Sequence, residues 1–163
     1  SLGSDVPFFF EGPLALAEGR GELLSTLPAA AECVLLLVKA DCSVPTSWAY
    51  GALDSARPGN LLPSYVSTKK ESIQLLYRSL ASGDLCGSAE NMHNDFEESV
   101  LRRYPVIGSV KERMLESGAV AALMSGSGSS VFGLFNDEGT ALEAAKHFPS
   151  YFCRVVKTLT KND

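Results

Sequence analysis

The spacing of apolar residues changes several times along the chain, and each change marks an element. "VPFFF" (6–10) and "PLALA" (13–17) read as extended chain around a turn near Glu11–Gly12, with glycines at 12, 19 and 21 breaking regularity. "ECVLLLVKA" (32–40) is short, partly β-branched and apolar without a break from Cys33 to Val38, which predicts a buried central strand. Pro45 then opens "PTSWAYGAL", where Trp48, Ala49, Ala52 and Leu53 recur at helical spacing. "ARPGNLLPS" (56–64) is a loop by its Pro and Gly content.

Thr68 followed by Glu71 has the form of a capping box and predicts a helix through Leu80, with Ile73, Leu76 and Leu80 as its inward stripe. A second helix is expected near 88–103, where Met92, Phe96 and Val100 stand four apart. Tyr104–Pro105 interrupts it, and a third helix bearing Ile107, Val110 and Met114 stops at Gly118. "AVAALM" and "SVFGLF" are strand-like and enclose a serine-glycine stretch. Asp137 is placed to cap a helix with Ala141, Ala145 and Phe148, and "YFCRVVKTL" (151–159) makes a last strand. From residue 32 the order is strand, helices, strand, strand, helix, strand. That order predicts an α+β sandwich of ferredoxin-like type, a mostly antiparallel sheet covered by helices.

Composition narrows the partners. The 163 residues are 45% hydrophobic, enough for a real core, and carry a net charge of −5. Basic residues are scattered, with no cluster or aromatic-basic stripe, so nucleic acid is not the expected partner. The longest apolar run, "CVLLLV", is far too short to cross a bilayer, and "SLGSDVP" lacks the basic front of a signal peptide. Cys33, Cys42, Cys86 and Cys153 have wide, irregular spacings, and with only His93 and His147 no zinc pattern assembles. Reduced thiols in a cytoplasmic protein (bacterial cytosol or plastid stroma) are the expectation.

The chemistry concentrates in "MSGSGSSVFGLF" (124–135). A P-loop would need a Lys after Gly128, a nucleophile elbow would need GxSxG, and a dinucleotide fingerprint would need a third glycine where Val131 stands. Two readings remain open on the residues alone. One is a hairpin loop whose glycines supply positive φ. The other is an anion nest of bare backbone N–H groups and hydroxyls.

Other stretches bear on that choice. "GSDVPFF" (3–9), "GRGE" (19–22), "NDFE" (94–97), "YPVI" (104–107) and "MSGSGSSVFGLF" stand in this order. Together they resemble the 4-diphosphocytidyl-2-C-methyl-D-erythritol kinase family of the GHMP kinase superfamily, from Gly3 to about Phe135. The family carries, ahead of these motifs, a lysine-asparagine segment and a glycine-rich ATP loop that have no counterpart in the sequence. The resemblance therefore implies a C-terminal part of such a kinase. Residues 1–30 would be the tail of an N-terminal catalytic domain, whose remainder would be a partner, and residues 31–163 the C-terminal domain.

The resemblance also implies a reaction, the ATP-dependent phosphorylation of a hydroxyl on a cytidine diphosphate ester in non-mevalonate isoprenoid precursor biosynthesis. Residues 1–163 would be inactive alone. Asp5 would accept the hydroxyl proton, as a carboxylate ionised at neutral pH can. Thr46 and Tyr50 would hold the cytidine-bearing substrate, and Ser125, Gly126, Ser127, Gly128 and Ser129 would contact phosphate. ATP is the implied cofactor, with magnesium carried on its phosphates. Asp95 and Glu98, at i and i+3 on an acidic helix face, invite a metal reading, but no dedicated metal cage is expected. Trp48 points to another side of its helix and is expected in the core; His93 is expected at the surface. The cut-off strands at the N-terminus would also allow self-association. The rival reading is a non-catalytic ferredoxin-like ligand-binding or regulatory module. A serine hydrolase ranks third, because neither histidine has an evident Ser or Asp partner.

Overall fold

The computed structural model describes residues 14–18, 23–56 and 63–160, and for 63–70 the backbone alone. β1 (Ala15–Glu18) and β2 (Leu23–Thr26) pair antiparallel, Ala15 opposite Thr26, as a two-stranded sheet of their own. β3 (Val34–Lys39) follows. Five helices come next: α1 (Thr46–Ala56), α2 (Pro63–Ser82), α3 (Leu85–Asn91), α4 (Glu97–Arg103) and α5 (Pro105–Glu116). β4 (Ala121–Met124), β5 (Ser130–Phe135), α6 (Glu138–Ala145) and β6 (Phe152–Lys157) complete the fold. The larger sheet has the order β4-β5-β3-β6, and every neighbouring pair is antiparallel. This is the α+β sandwich that the pattern from residue 32 predicts.

β3 is apolar from Val34 to Val38 because it is paired on both sides. In the register Val38 faces Val131 and Cys153, and Leu36 faces Gly133 and Val155. Leu36 and Val38 are fully buried against a helical layer formed by Ile107, Val110 and Met114 of α5 with Ala141, Ala144 and Phe148 of the α6 region. Each large side chain buried this way contributes about 1.5–3 kcal/mol. The expected α5 stripe is thus entirely in the core. Asp137 caps α6 as expected, its Oδ1 accepting the Thr140 N–H at 2.8 Å.

Three helical expectations need correction. α2 starts at Pro63, where a proline is tolerated at a first helical position, so Thr68 lies inside the helix and not at its start. Its stripe does not enter the core: Ile73 is exposed, and Leu76 and Leu80 are half-buried. The helix expected over 88–103 is two helices, broken at residues 92–96. The four-residue spacing of Met92, Phe96 and Val100 runs straight through the break, so periodicity alone cannot reveal it. The strand expectations around "GSDVPFF" and the turn near Glu11–Gly12 lie outside the described residues.

Candidate functional site

The break between α3 and α4 faces the end of β4, and α1 faces the loop beyond it. Pro45 leads into α1 and accepts the Ala49 N–H through its carbonyl, which sets Thr46 at the first turn. Thr46 Oγ1 lies 3.2 Å from Ser127 Oγ. Tyr50, one turn later, is 55% exposed and meets Phe96 edge-on with ring centroids 5.0 Å apart. The fold therefore brings Thr46, Tyr50 and the serine-glycine loop, 81 residues apart in sequence for Thr46 and Ser127, to one place. Trp48 points elsewhere, packing against the edge of the core with its ring edge-on to Tyr104 and under the Arg103 guanidinium.

The loop joins β4 to β5. Ser125 N–H donates to Ser130 O at 2.8 Å, and Gly128 N–H closes a turn onto Ser125 O at 3.0 Å. Gly126 and Gly128 have φ of +55° and +87°, so the glycines supply the left-handed geometry that a hairpin of this shape requires. That requirement coexists with anion-binding capacity. The N–H groups of Gly126 and Ser127 make no hydrogen bond among the described residues, and both residues are at least partly exposed. Ser129 is different. It is buried, and its hydroxyl lies 2.7 Å from Cys42 O and 3.2 Å from Ala40 O, so it ties the loop to the segment leading into α1. Of the five predicted phosphate contacts, Ser129 has its hydroxyl committed within the fold.

Beside the loop lies an open groove of about 610 Å³. Tyr50 and Leu53 form one wall, Ile73 and Leu76 of α2 a second, and the 91–96 segment a third. Its floor is the cross-strand pair Leu123 and Phe132, on the sheet face opposite the core. Ile73 and Leu76, two members of the α2 stripe that misses the core, thus line this groove instead.

"NDFE" has a role that its acidic character conceals. Asn94 donates through Nδ2 to Met124 O at 2.6 Å and to Gly126 O at 2.8 Å, while its Oδ1 accepts the Phe96 N–H at 2.9 Å. Glu97 accepts the Met124 N–H at 2.8 Å on Oε1 and the Lys111 ammonium at 2.6 Å on Oε2. Both members of that ion pair are largely shielded from solvent. β4 is an edge strand, and these side chains satisfy backbone groups that no neighbouring strand can reach. The placement of Asp95 and Glu98 on one helix face is corrected. Asp95 precedes α4 and so shares no helix face with Glu98, which instead pairs with Arg102. His93 Nε2 lies 2.6 Å from Asp95 Oδ1, with His93 exposed as expected. The clue to Asn94 in the sequence is an Asn-Asp pair inside an apolar helical pattern, since both residues favour turns over helix interiors.

The chemistry of the donor set suits a phosphate. The Gly126 and Ser127 N–H groups and the Ser125 and Ser127 hydroxyls stand within three successive residues of the loop, and an anion needs donors of this kind. For a metal, no group of three or more His, Cys, Asp or Glu side chains is assembled among the described residues. Asp5 and "GRGE" lie outside the described residues. All four cysteines are free thiols, and burial raises the pKa of Cys33 and Cys153. No helix among the described residues is long and apolar enough to cross a membrane.

An antiparallel sandwich whose glycine hairpin sits against a helix bearing Thr46 and Tyr50 defines a class. Residues 73–152 match the family model for the GHMP kinases C-terminal region, and the chain carries that domain. Within the class its relatives are specific. It is 44% identical to the 4-diphosphocytidyl-2-C-methyl-D-erythritol kinase of Thermodesulfovibrio yellowstonii, over 99% of this chain and 55% of that protein. It is 40% identical to the enzyme of that name from Geobacter metallireducens, over 90% of this chain and 47% of that protein. A crystal structure of a 4-(cytidine 5'-diphospho)-2C-methyl-D-erythritol kinase superposes with a TM-score of 0.73 at 31% identity, covering 96% of this chain and 53% of that one. A homoserine kinase from Cytophaga hutchinsonii, at 19% identity and TM-score 0.66, shares the fold. The chain spans about half the length of the curated relatives it matches.

Proposed function

We propose that the protein carrying this chain transfers the γ-phosphoryl group of ATP to a hydroxyl of 4-diphosphocytidyl-2-C-methyl-D-erythritol, a step of non-mevalonate isoprenoid precursor synthesis. The observation that carries this reading is the meeting of Thr46 with Ser127. A helix assigned to the cytidine substrate touches the loop assigned to phosphate, and phosphoryl transfer requires acceptor and phosphate to be held side by side. The 44% identity over nearly the whole chain supports the choice of substrate.

Each residue has a defined task in this reading. Gly126 and Ser127 present N–H donors to phosphate oxygens, and the Ser127 hydroxyl adds a donor beside Thr46. Tyr50 offers an exposed aromatic face to a base or sugar at the mouth of the groove. ATP, with magnesium on its phosphates, supplies the phosphoryl group and neutralises its charge when bound. Asp5 accepts the proton of the attacking hydroxyl. Residues 1–30 are assigned to a catalytic domain and 31–163 to the C-terminal domain. The β1–β2 hairpin, outside the larger sheet, is the surface assigned to contact with the rest of the protein or a second copy.

The test is Asp5→Asn in the full protein, assayed by ADP release with the cytidine ester. Asn keeps the shape but cannot take the proton, so kcat should fall by about 10²–10⁴-fold with the fold intact. A folded variant with near wild-type kcat removes Asp5 from the mechanism, and a wild-type protein that releases no ADP sinks the reaction itself.

A further inference from the structure

Asn94 gives up both of its amide hydrogens to the backbone of the loop, and the consequence lies on the loop's other side. In a trans peptide the C=O and N–H of one unit point in opposite directions. The Met124–Ser125 unit shows the rule at work. Met124 O accepts from Asn94 at 2.6 Å, and Ser125 N–H, on the far side, donates to Ser130 O at 2.8 Å. The Gly126–Ser127 unit is held in the same way, since Gly126 O accepts from Asn94 at 2.8 Å. Ser127 N–H must therefore point away from Asn94, and among the described residues it meets no acceptor.

We infer that Asn94 is a positioning residue for anion binding, which fixes the Gly126–Ser127 peptide so that the Ser127 N–H faces a bound phosphate. This is the middle peptide of the turn closed by Gly128 N–H on Ser125 O, and Gly126 at φ +55° gives it little steric restraint of its own. A clamp is needed to keep one orientation. Asn94 supplies it with its own amide direction fixed, because Oδ1 is held by the Phe96 N–H at 2.9 Å. Glu97, balanced by Lys111, grips the N–H of the same Met124 whose carbonyl Asn94 holds, so the base of the hairpin cannot shift. Phosphate then binds on the side of the loop to which the Ser127 N–H points.

The inference rests on the proposed reading of the loop as a phosphate cradle, and the experiment separates the two. Backbone amide signals of the full protein are followed by NMR during titration with inorganic pyrophosphate. The Ser127 amide should move with saturation in the wild type. Asn94→Asp is isosteric but presents a carboxylate to two carbonyls, and it should weaken that response by about tenfold or more, the scale of one lost charge-assisted or buried hydrogen bond. In the ADP-release assay the same variant should raise KM for ATP by a similar factor and leave KM for the cytidine ester within about twofold. A Ser127 amide that stays still in the wild type at saturating pyrophosphate overturns the inference whether or not the variant folds. So does an Asn94→Asp protein that binds pyrophosphate as the wild type does. If Ser127 responds and the variant loses the response, yet no ADP forms with the cytidine ester, the inference stands and the proposed reaction falls.

Discussion

Alanine placed at Gly126 and at Gly128 should have unequal consequences, and the inequality can be worked out from the hairpin. Both glycines have positive φ, and an L-residue in that region costs about 1–2 kcal/mol. At Gly126 a Cβ would meet nothing within 4 Å, so that strain is the whole cost. At Gly128 the Cβ would stand 2.8 Å from Met124 Sδ and 3.5 Å from Ile107 Cδ1. Met124 is 1% exposed and Ile107 fully buried, so the sulfur must move inside a packed core. Overpacking of that kind adds about 1–3 kcal/mol. Gly126→Ala should therefore lower the melting temperature by about 2–8 °C and Gly128→Ala by about 4–20 °C, at about 2–4 °C per kcal/mol for a chain of this length. Thermal unfolding followed by circular dichroism measures both. Activity should separate them in the other sense. Gly126→Val puts bulk at the open tip, so kcat/KM for ATP should fall more than the loss of folded protein explains. Equal melting temperatures for the two alanine variants would refute the packing argument. A Gly126→Val protein with unchanged specific activity of the folded fraction would make the tip an ordinary turn.

Other outcomes follow from the same geometry. Thr46→Ala and Tyr50→Ala should raise KM for the cytidine ester more than KM for ATP, with Tyr50 costing about 1–3 kcal/mol if a base stacks on it; equal rises for both substrates would indicate a packing defect. Ser129→Ala leaves the carbonyls of Ala40 and Cys42 without the hydroxyl that now bridges them, and should destabilise the fold by about 1–3 kcal/mol in chemical denaturation. Asp137 is held below the usual carboxylate range, first by the Thr140 N–H and then by the Thr140 hydroxyl. A depressed folded pKa means that the cap contributes fully above about pH 4, the unfolded value, and is lost as pH falls through the folded one. The melting-temperature gap between wild type and Asp137→Asn should therefore narrow on acidification below about pH 4, and a gap constant with pH would remove the ionised cap.

What can be read in the sequence depends on whether the deciding contacts are local. β3, α5 and α6 are legible because burial writes itself into short-range patterns: an unbroken apolar run, a stripe at 107, 110 and 114, and a capping Asp137. The start of α2 is not legible, because Thr68 and Glu71 imitate a cap while Pro63 starts the helix five residues earlier. The α3–α4 break is hidden because Met92, Phe96 and Val100 keep helical spacing across it, each packing for its own reason. The resemblance names Thr46, Tyr50 and the glycine loop, and the fold brings these together. No periodicity could do so, since the Thr46–Ser127 contact spans 81 residues.

Asn94 and Glu97 show most clearly why side-chain type alone misleads. In sequence they sit among Asp95 and Glu98, and four polar residues in five positions look like a solvated face. In the fold only some of that polarity meets water. Glu98 pairs with Arg102 in the open, where such a bond is worth little, whereas Glu97 is shielded with Lys111 and holds a strand end. The difference lies in what stands opposite. An edge strand that ends in a glycine turn leaves backbone groups that its one neighbouring strand does not satisfy, and a polar side chain from a helix break can reach them. The break between α3 and α4 is therefore part of the loop's architecture. A continuous helix through 92–96 would close the turn geometry that directs Asn94 at Met124 and Gly126, and the hairpin would keep its glycines but lose the clamp on its central peptide.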